Sequence, residues 1–341
     1  MEGIHGGDIY RNHVKVDFSV NVNPFGMPEG VEAALYEAVG RCREYPDMMT
    51  EKLKKAVSHM LSVPEEYLLF GNGASEIFFG IMHAIQPKKI VIPVPSFYGY
   101  EYASEAVRSE IVYVPLKKEK EFLPDEELLT ALTDHTDLLF LANPNNPTGK
   151  LMSRAYLEKL LKLCREKDIW VILDECFIEF CGGDFSMLSQ ISEYENLLLV
   201  RAFTKIFSIP GVRLGYLVCS NTSLLEKVRK QLPEWNVSTF AQEAGVECAS
   251  QSLFVAMTVD YVRAERQFLT DGLKRLGLSV FAGKANFILV YSEKPLYDEL
   301  LKKGILIRNC ENFKGLSNGY YRIAVKSRKE NEMLLKAIGE L

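Results

Sequence analysis

The sequence has little of what metal centres, disulfide frameworks and membrane segments need. Its 341 residues include five His and seven Cys, the Cys number is odd, and no Cys-x-x-Cys occurs. That excludes a paired disulfide framework and a structural zinc site. Cys176 and Cys181 are close in sequence, but no His lies near them, so no metal is expected there. No stretch approaches the roughly eighteen apolar residues of a membrane helix. The opening "MEGIHGGDIYRN" has no apolar core of the kind a secretory signal carries, so a cytoplasmic protein is expected. Basic residues are not in excess, 40 Lys and Arg against 45 Asp and Glu, for a net charge of -5. A nucleic-acid footprint needs a clustered basic surface, and the run "PLKKEKEF" is mixed in sign and reads as a solvated loop. Neither the GxGxxG of a dinucleotide site nor the GxxxxGK[ST] of a P-loop is present.

With 48% hydrophobic residues, the chain can build a substantial core and more than one domain. Its middle alternates short apolar runs with helical patterns. "KKIVIPVP", "SEIVYVPL", "TDLLFLANP", "IWVILDEC", "NLLLVRAF" and "RLGYLVCS" read as strands, and "SRAYLEKLLKLCREKD" as an amphipathic helix. Near-continuous apolar strands imply a sheet covered on both faces. The expectation is an α/β domain with a mostly parallel sheet over residues 45–245. From 246 to 341 a long helical pattern, several strands and a closing helix read as a smaller α+β domain. Residues 1–44 are expected to pack on that domain or on a partner subunit.

In "LFLANPNNPTGKL" a buried strand runs straight into an Asn-Pro turn. Pro144 and Pro147 stiffen the turn by fixing φ, and Gly149 allows a conformation other residues resist. Asn143 and Asn145 serve turn geometry, and Asn146 is aimed outward. Asp174 ends the next strand, where a carboxylate is either a cap or ion-pair partner or a ligand group. Lys205, in "RAFTKIFSIPGVRLGY", sits between apolar segments, which suits a buried reactive amine better than a solvated side chain. "GNGASE" precedes the apolar helix "IFFGIMHAI", and a Gly-rich helix start can hold a phosphate through backbone N–H groups. Ligands in such sheets sit beyond the C-terminal strand ends. Together these groups suit pyridoxal phosphate, which needs an amine, a carboxylate for its ring nitrogen and a phosphate cradle.

"NPNNPTG", "DECFIEF" and "TKIFSIPGVRLGY", in that order and spacing, resemble fold-type I pyridoxal-phosphate enzymes of the aspartate aminotransferase superfamily. The resemblance runs essentially end to end. It implies that Lys205 is the Schiff-base lysine, Asp174 the partner of the pyridine nitrogen and Asn146 the donor to the phenolic oxygen. It implies a phosphate cup of Ala74, Ser75, Thr204 and Arg213, and a ring-stacking aromatic at Phe97. It further implies a homodimer with shared sites, in which Tyr45 reaches the neighbouring subunit's phosphate, and an arginine for the substrate carboxylate at Arg322. One departure stands out. Many relatives carry a Tyr three residues after the aspartate, where this chain has Phe177.

Two branches of the superfamily fit. One is similar to histidinol-phosphate aminotransferases. The other is similar to threonine-phosphate decarboxylases of cobalamin synthesis, which convert L-threonine O-3-phosphate to (R)-1-amino-2-propanol O-2-phosphate and CO2. "HGGDIY", "VDFSVNVNPFGMP" and "GILIRNCENFKGLSNGYYRIAV" lean toward the second. Phe177 and the Thr before Lys205 agree with it. That resemblance implies a second anion site, for which His5, the N–H groups of Gly6 and Gly7, Asn23 and Arg308 are candidates. The plainer reading of "HGG" is an ordered turn at a subunit boundary. The catalytic kit is common to both branches, so the choice of bond rests on the resemblance.

Overall fold

A computed structural model describes residues 5–341. The strands are β1 (Val16–Asp17), β2 (Leu68–Gly71), β3 (Lys89–Val94), β4 (Glu110–Pro115), β5 (Leu138–Ala142), β6 (Trp170–Asp174), β7 (Leu197–Ala202) and β8 (Gly215–Val218), followed by β9 (Ser279–Phe281), β10 (Phe287–Tyr291), β11 (Ile305–Leu306), β12 (Arg308–Asn309) and β13 (Tyr320–Ala324). Seven of them form one sheet in the order β2-β8-β7-β6-β5-β3-β4. All run parallel except β8, which is antiparallel to both neighbours. The expected α/β architecture with a mostly parallel sheet is therefore present. β8 is reversed because the chain returns from β7 through a short connection with the Pro210–Gly211 turn, too compact for a crossover to the far end of the sheet. That return keeps Lys205 and Arg213 at the same end of the sheet.

β5 and β7 are buried at every position, as strands covered on both faces must be. The covering helices carry the signals their sequence announces. Arg154–Glu166 buries Leu157, Leu160, Leu161 and Cys164 at helical spacing and is capped by Ser153, whose hydroxyl accepts from the Tyr156 N–H. Arg328–Gly339 begins with a reciprocal capping box between Ser327 and Glu330.

The second sheet, β12-β13-β10-β9, is antiparallel. The 24-residue helix Ser252–Arg275 leads into it. β1 pairs with β11, and the Ala324 N–H donates to the Phe18 carbonyl, so the N-terminal segment is stitched to this smaller unit. A few residues on, the Asn23 N–H donates to the Lys205 carbonyl. The segment between them thus crosses from the small sheet to the end of β7. Leu116 and Phe122 pack with Phe281, Phe313 and Tyr320 in one apolar cluster, which joins the two units on the other side. Among the described residues, no helix is long and apolar enough to cross a membrane.

Candidate active site

Five of the parallel strands end on the same side, and each delivers a group to the site there. β2 leads into the helix Ala74–Ile85, β3 into Phe97, β5 into the Asn146 turn, β6 into Asp174 and β7 into Thr204 and Lys205. Between these ends and the small unit lies a cavity of about 660 Å3. Its wall includes Ala74, Ser75, Phe97, Asn146, Asp174 and Thr204, and also Lys205, Arg213, Arg308 and Arg322, with His5 and Gly6 at its N-terminal edge. Twelve residues scattered from 5 to 322 in the sequence are therefore brought together.

One end of the cavity is rich in donors. Gly73, with φ of +79°, is the N-cap of the helix Ala74–Ile85 and contributes no side chain to its free N–H groups. A Cβ at Gly73 would lie 2.4 Å from Arg213 Nη2, so any side chain there would push that guanidinium from its present place. The other end holds Asp174. Its Oδ2 accepts from the Tyr100 hydroxyl at 2.6 Å and its Oδ1 from the Cys176 N–H at 2.9 Å. Burial pushes the Asp174 carboxyl up, and these donors together with Lys205 oppose that. Its neighbour Glu175 is turned away and paired with Arg201 at 2.8 Å, so the cavity meets one carboxylate of the two.

Lys205 is half-buried, and desolvation brings its amine down to about 8, with Arg322 and Arg213 adding to the fall. A neutral amine is thereby accessible near physiological pH. Arg322 is 7% exposed, and among the described residues no carboxylate pairs with it. Its guanidinium donates to Asn146 Oδ1 and to the Ser19 carbonyl, and Asn21, with its amide turned over, accepts as well. Burial lowers it to about 10. Because Asn146 Oδ1 is taken by Arg322, its amide nitrogen is the end left to donate into the cavity. His5 is pushed down by burial and by Arg308, Arg322 and Lys205.

The turn after β5 is held as expected. Asn143 Oδ1 accepts from the Met152 N–H, and Asn145 Nδ2 donates to the Pro95 carbonyl and the Thr148 hydroxyl. Three other residues fall elsewhere. Asn23 does not reach the cavity. Its Nδ2 donates to the Ile206 carbonyl and the Thr258 hydroxyl and its Oδ1 accepts from the Phe25 N–H, so it braces the Lys205 turn. The Gly7 N–H donates to Ser19 Oγ, and Gly7 borders an adjoining cavity of about 320 Å3 that shares His5, Gly6 and Arg308 with the main one. Tyr45 lies outside the cavity of its own chain, 82% exposed and packed on Trp235. Sequence reasoning missed Tyr100, Cys176, Asn21, Glu101 and Lys314. For Tyr100 a signal was available: three residues after Phe97, it falls one helical turn along in "PSFYGY".

Residues 13–338 match the profile of the family Aminotransferase class I and II. The chain is 35% identical to the threonine-phosphate decarboxylase of Salmonella typhimurium over 95% of its own length and 90% of that relative. Among solved structures it is similar to the histidinol-phosphate aminotransferase from Clostridium acetobutylicum, with a TM-score of 0.90 and 33% identity, covering 95% of this chain and 98% of the other. It is also similar to the L-threonine-O-3-phosphate decarboxylase from Porphyromonas gingivalis, with a TM-score of 0.85 and 26% identity, covering 95% and 98%.

Proposed function

Because the chain belongs to the aminotransferase class I and II family, whose fold-type I superfamily typically uses pyridoxal phosphate, we propose that it is a pyridoxal-phosphate enzyme that decarboxylates L-threonine O-3-phosphate. The donor set fits the cofactor. A phosphate suits the uncapped helix start and the Arg213 guanidinium that Gly73 makes room for. A ring nitrogen suits Asp174 at the opposite end, and an aldehyde suits the Lys205 amine between them. When bound, pyridoxal phosphate supplies an electron sink for a bond broken at the carbon that carries the substrate amine. Lys205 would hold it covalently and later return a proton to that carbon. Ser75 and Thr204 would add hydroxyls to the phosphate cradle, Phe97 would stack on the ring and the Asn146 amide would donate to the phenolic oxygen.

One observation carries the substrate assignment: the cavity wall holds a pair of neighbouring arginines, Arg308 and Arg322, that can meet two anions. Arg322 is buried, without a carboxylate partner, and suits a substrate carboxylate. Arg308, its cross-strand partner, stands beside it with His5 and Gly6 on the same cavity wall, and these suit a phosphate. Threonine phosphate brings both anions on one short skeleton, whereas transamination brings them on two molecules, the phosphate on histidinol phosphate and the carboxylates on 2-oxoglutarate. A second reading, transamination of histidinol phosphate, is favoured by the close likeness to the Clostridium acetobutylicum structure. Incubation with each substrate separates the two. Release of CO2 from threonine phosphate, with the cofactor left in its aldehyde form, supports decarboxylation. Rapid turnover of histidinol phosphate with 2-oxoglutarate, and no CO2, overturns it.

The assembly proposed with this reading is a homodimer. Tyr45, Tyr36, Met48, Met49 and Trp235 form exposed apolar surface in the single chain, which a second copy would cover while bringing its Tyr45 to the phosphate end.

A further inference from the structure

We propose that Tyr100 is a positioning residue for Asp174: its hydroxyl fixes the carboxylate plane and keeps that group ionised, so that Asp174 rather than Tyr100 or solvent faces the cofactor's ring nitrogen. The inference rests on the pyridoxal-phosphate reading above. Tyr100 lies on the helix Gly99–Ala106 and is fully buried. Its ring is stacked on Phe140 at 4.9 Å and meets Phe78 edge-on at 5.3 Å, which leaves the hydroxyl little freedom. That hydroxyl donates to Asp174 Oδ2, while the Cys176 N–H donates to Oδ1. Two donors on two different oxygens fix both the position and the plane of the carboxylate.

The proton stays on the phenol, because burial and then Asp174 push Tyr100 well above its ordinary range. Without the hydroxyl, Oδ2 would be a buried carboxylate oxygen lacking that donor, and burial would draw a proton onto Asp174. The proton shared between Asp174 and the ring nitrogen would then move toward Asp174. Tyr100 also meets Phe97 edge-on at 5.6 Å, so one ring supports the proposed stacking residue and the proposed nitrogen partner together.

Tyr100→Phe tests this, because it keeps the ring contacts and deletes only the donor. The holoprotein is loaded with cofactor labelled with nitrogen-15 in the ring, and linkage to Lys205 is established by borohydride reduction and peptide mapping. In the wild type the nitrogen resonance should sit at its protonated position. In Tyr100→Phe it should move toward the unprotonated one, and cofactor dissociation should rise on the order of ten- to a hundredfold, as for loss of one hydrogen bond to a charged group. In an Asp174→Asn background the same substitution should change cofactor affinity little. Unchanged resonance and affinity in Tyr100→Phe, with the Lys205 linkage intact, overturn the inference and leave the cofactor reading standing. Absence of any linkage to Lys205 takes down both. The carbon-13 carboxyl resonance of Asp174 in the wild-type holoprotein, assigned by its loss in Asp174→Asn, is a check that needs no Tyr100 variant to fold. A protonated carboxyl there also overturns the inference.

Discussion

Lys205 should cost the cofactor-free protein stability, and the cost should fade as pH rises. In the open chain its ammonium titrates near 10.5; burial in the folded cavity brings it down to about 8. Below pH 8 the folded state carries a charge that it holds less readily than the unfolded state does. Between pH 8 and 10.5 the unfolded chain binds the extra proton, so this contribution to stability improves with rising pH through that window. At about 1.4 kcal/mol per tenfold change in proton affinity, the penalty is roughly 3 kcal/mol at pH 7 and roughly 2 kcal/mol at pH 9. Lys205→Met keeps the shape of the side chain and removes the ionisation. In urea titrations of the cofactor-free proteins, the variant should be more stable than wild type at pH 7, with the gap narrowing by about 1 kcal/mol at pH 9. A variant that is less stable at both values, or a gap that does not change with pH, would refute the idea that Lys205 is held in a desolvated, charge-disfavouring site.

Other perturbations probe the remaining parts of the site. A Cβ at Gly283 would lie 2.2 Å from the Gly149 carbonyl oxygen, so Gly283→Ala should displace the Asn146 turn and cost about 1–3 kcal/mol, read from the urea midpoint. Phe177 lines the cavity against Phe287, and Phe177→Tyr should add a donor near the phenolic oxygen. A donor to the phenolate favours the deprotonated linkage, so the pH at which the cofactor's absorbance band titrates should fall; an equal or higher value would contradict this. Tyr45→Phe should weaken cofactor retention by at most roughly 1.5–3 kcal/mol without altering the spectrum of what stays bound, as equilibrium dialysis of variant and wild type side by side would measure. Arg322→Gln should raise the KM for threonine phosphate by roughly ten- to a hundredfold, through loss of the proposed carboxylate contact.

The local part of this protein was legible in its sequence. "LLFLA", "WVILD" and "LLLVRA" are largely apolar runs that only a sheet covered on both faces can bury, and each meets a polar residue at its end or within two positions of it: Asn143, Asp174 and Thr204. In a parallel sheet those ends lie on one side, which is why Asn146, Asp174 and Lys205 could be named together before any coordinates. The glycines and prolines of the turns act through φ, a property of the residue itself. What residues far apart in sequence do to one another was not legible, because strand order, not spacing, decides which side chains meet. Asn23 carries the same amide as Asn21, yet the path of the N-terminal segment turns it under the Lys205 loop. Arg322 and Asn146 share a hydrogen bond across 176 positions because the small sheet is folded back over the end of β5. Tyr100 reaches Asp174 because β3 and β6 both flank β5, which places the helix after one beside the tip of the other. Pattern and propensity determined the strands and the chemistry at their ends; only the tertiary structure decided which of those groups share a charge, a donor or a cavity wall.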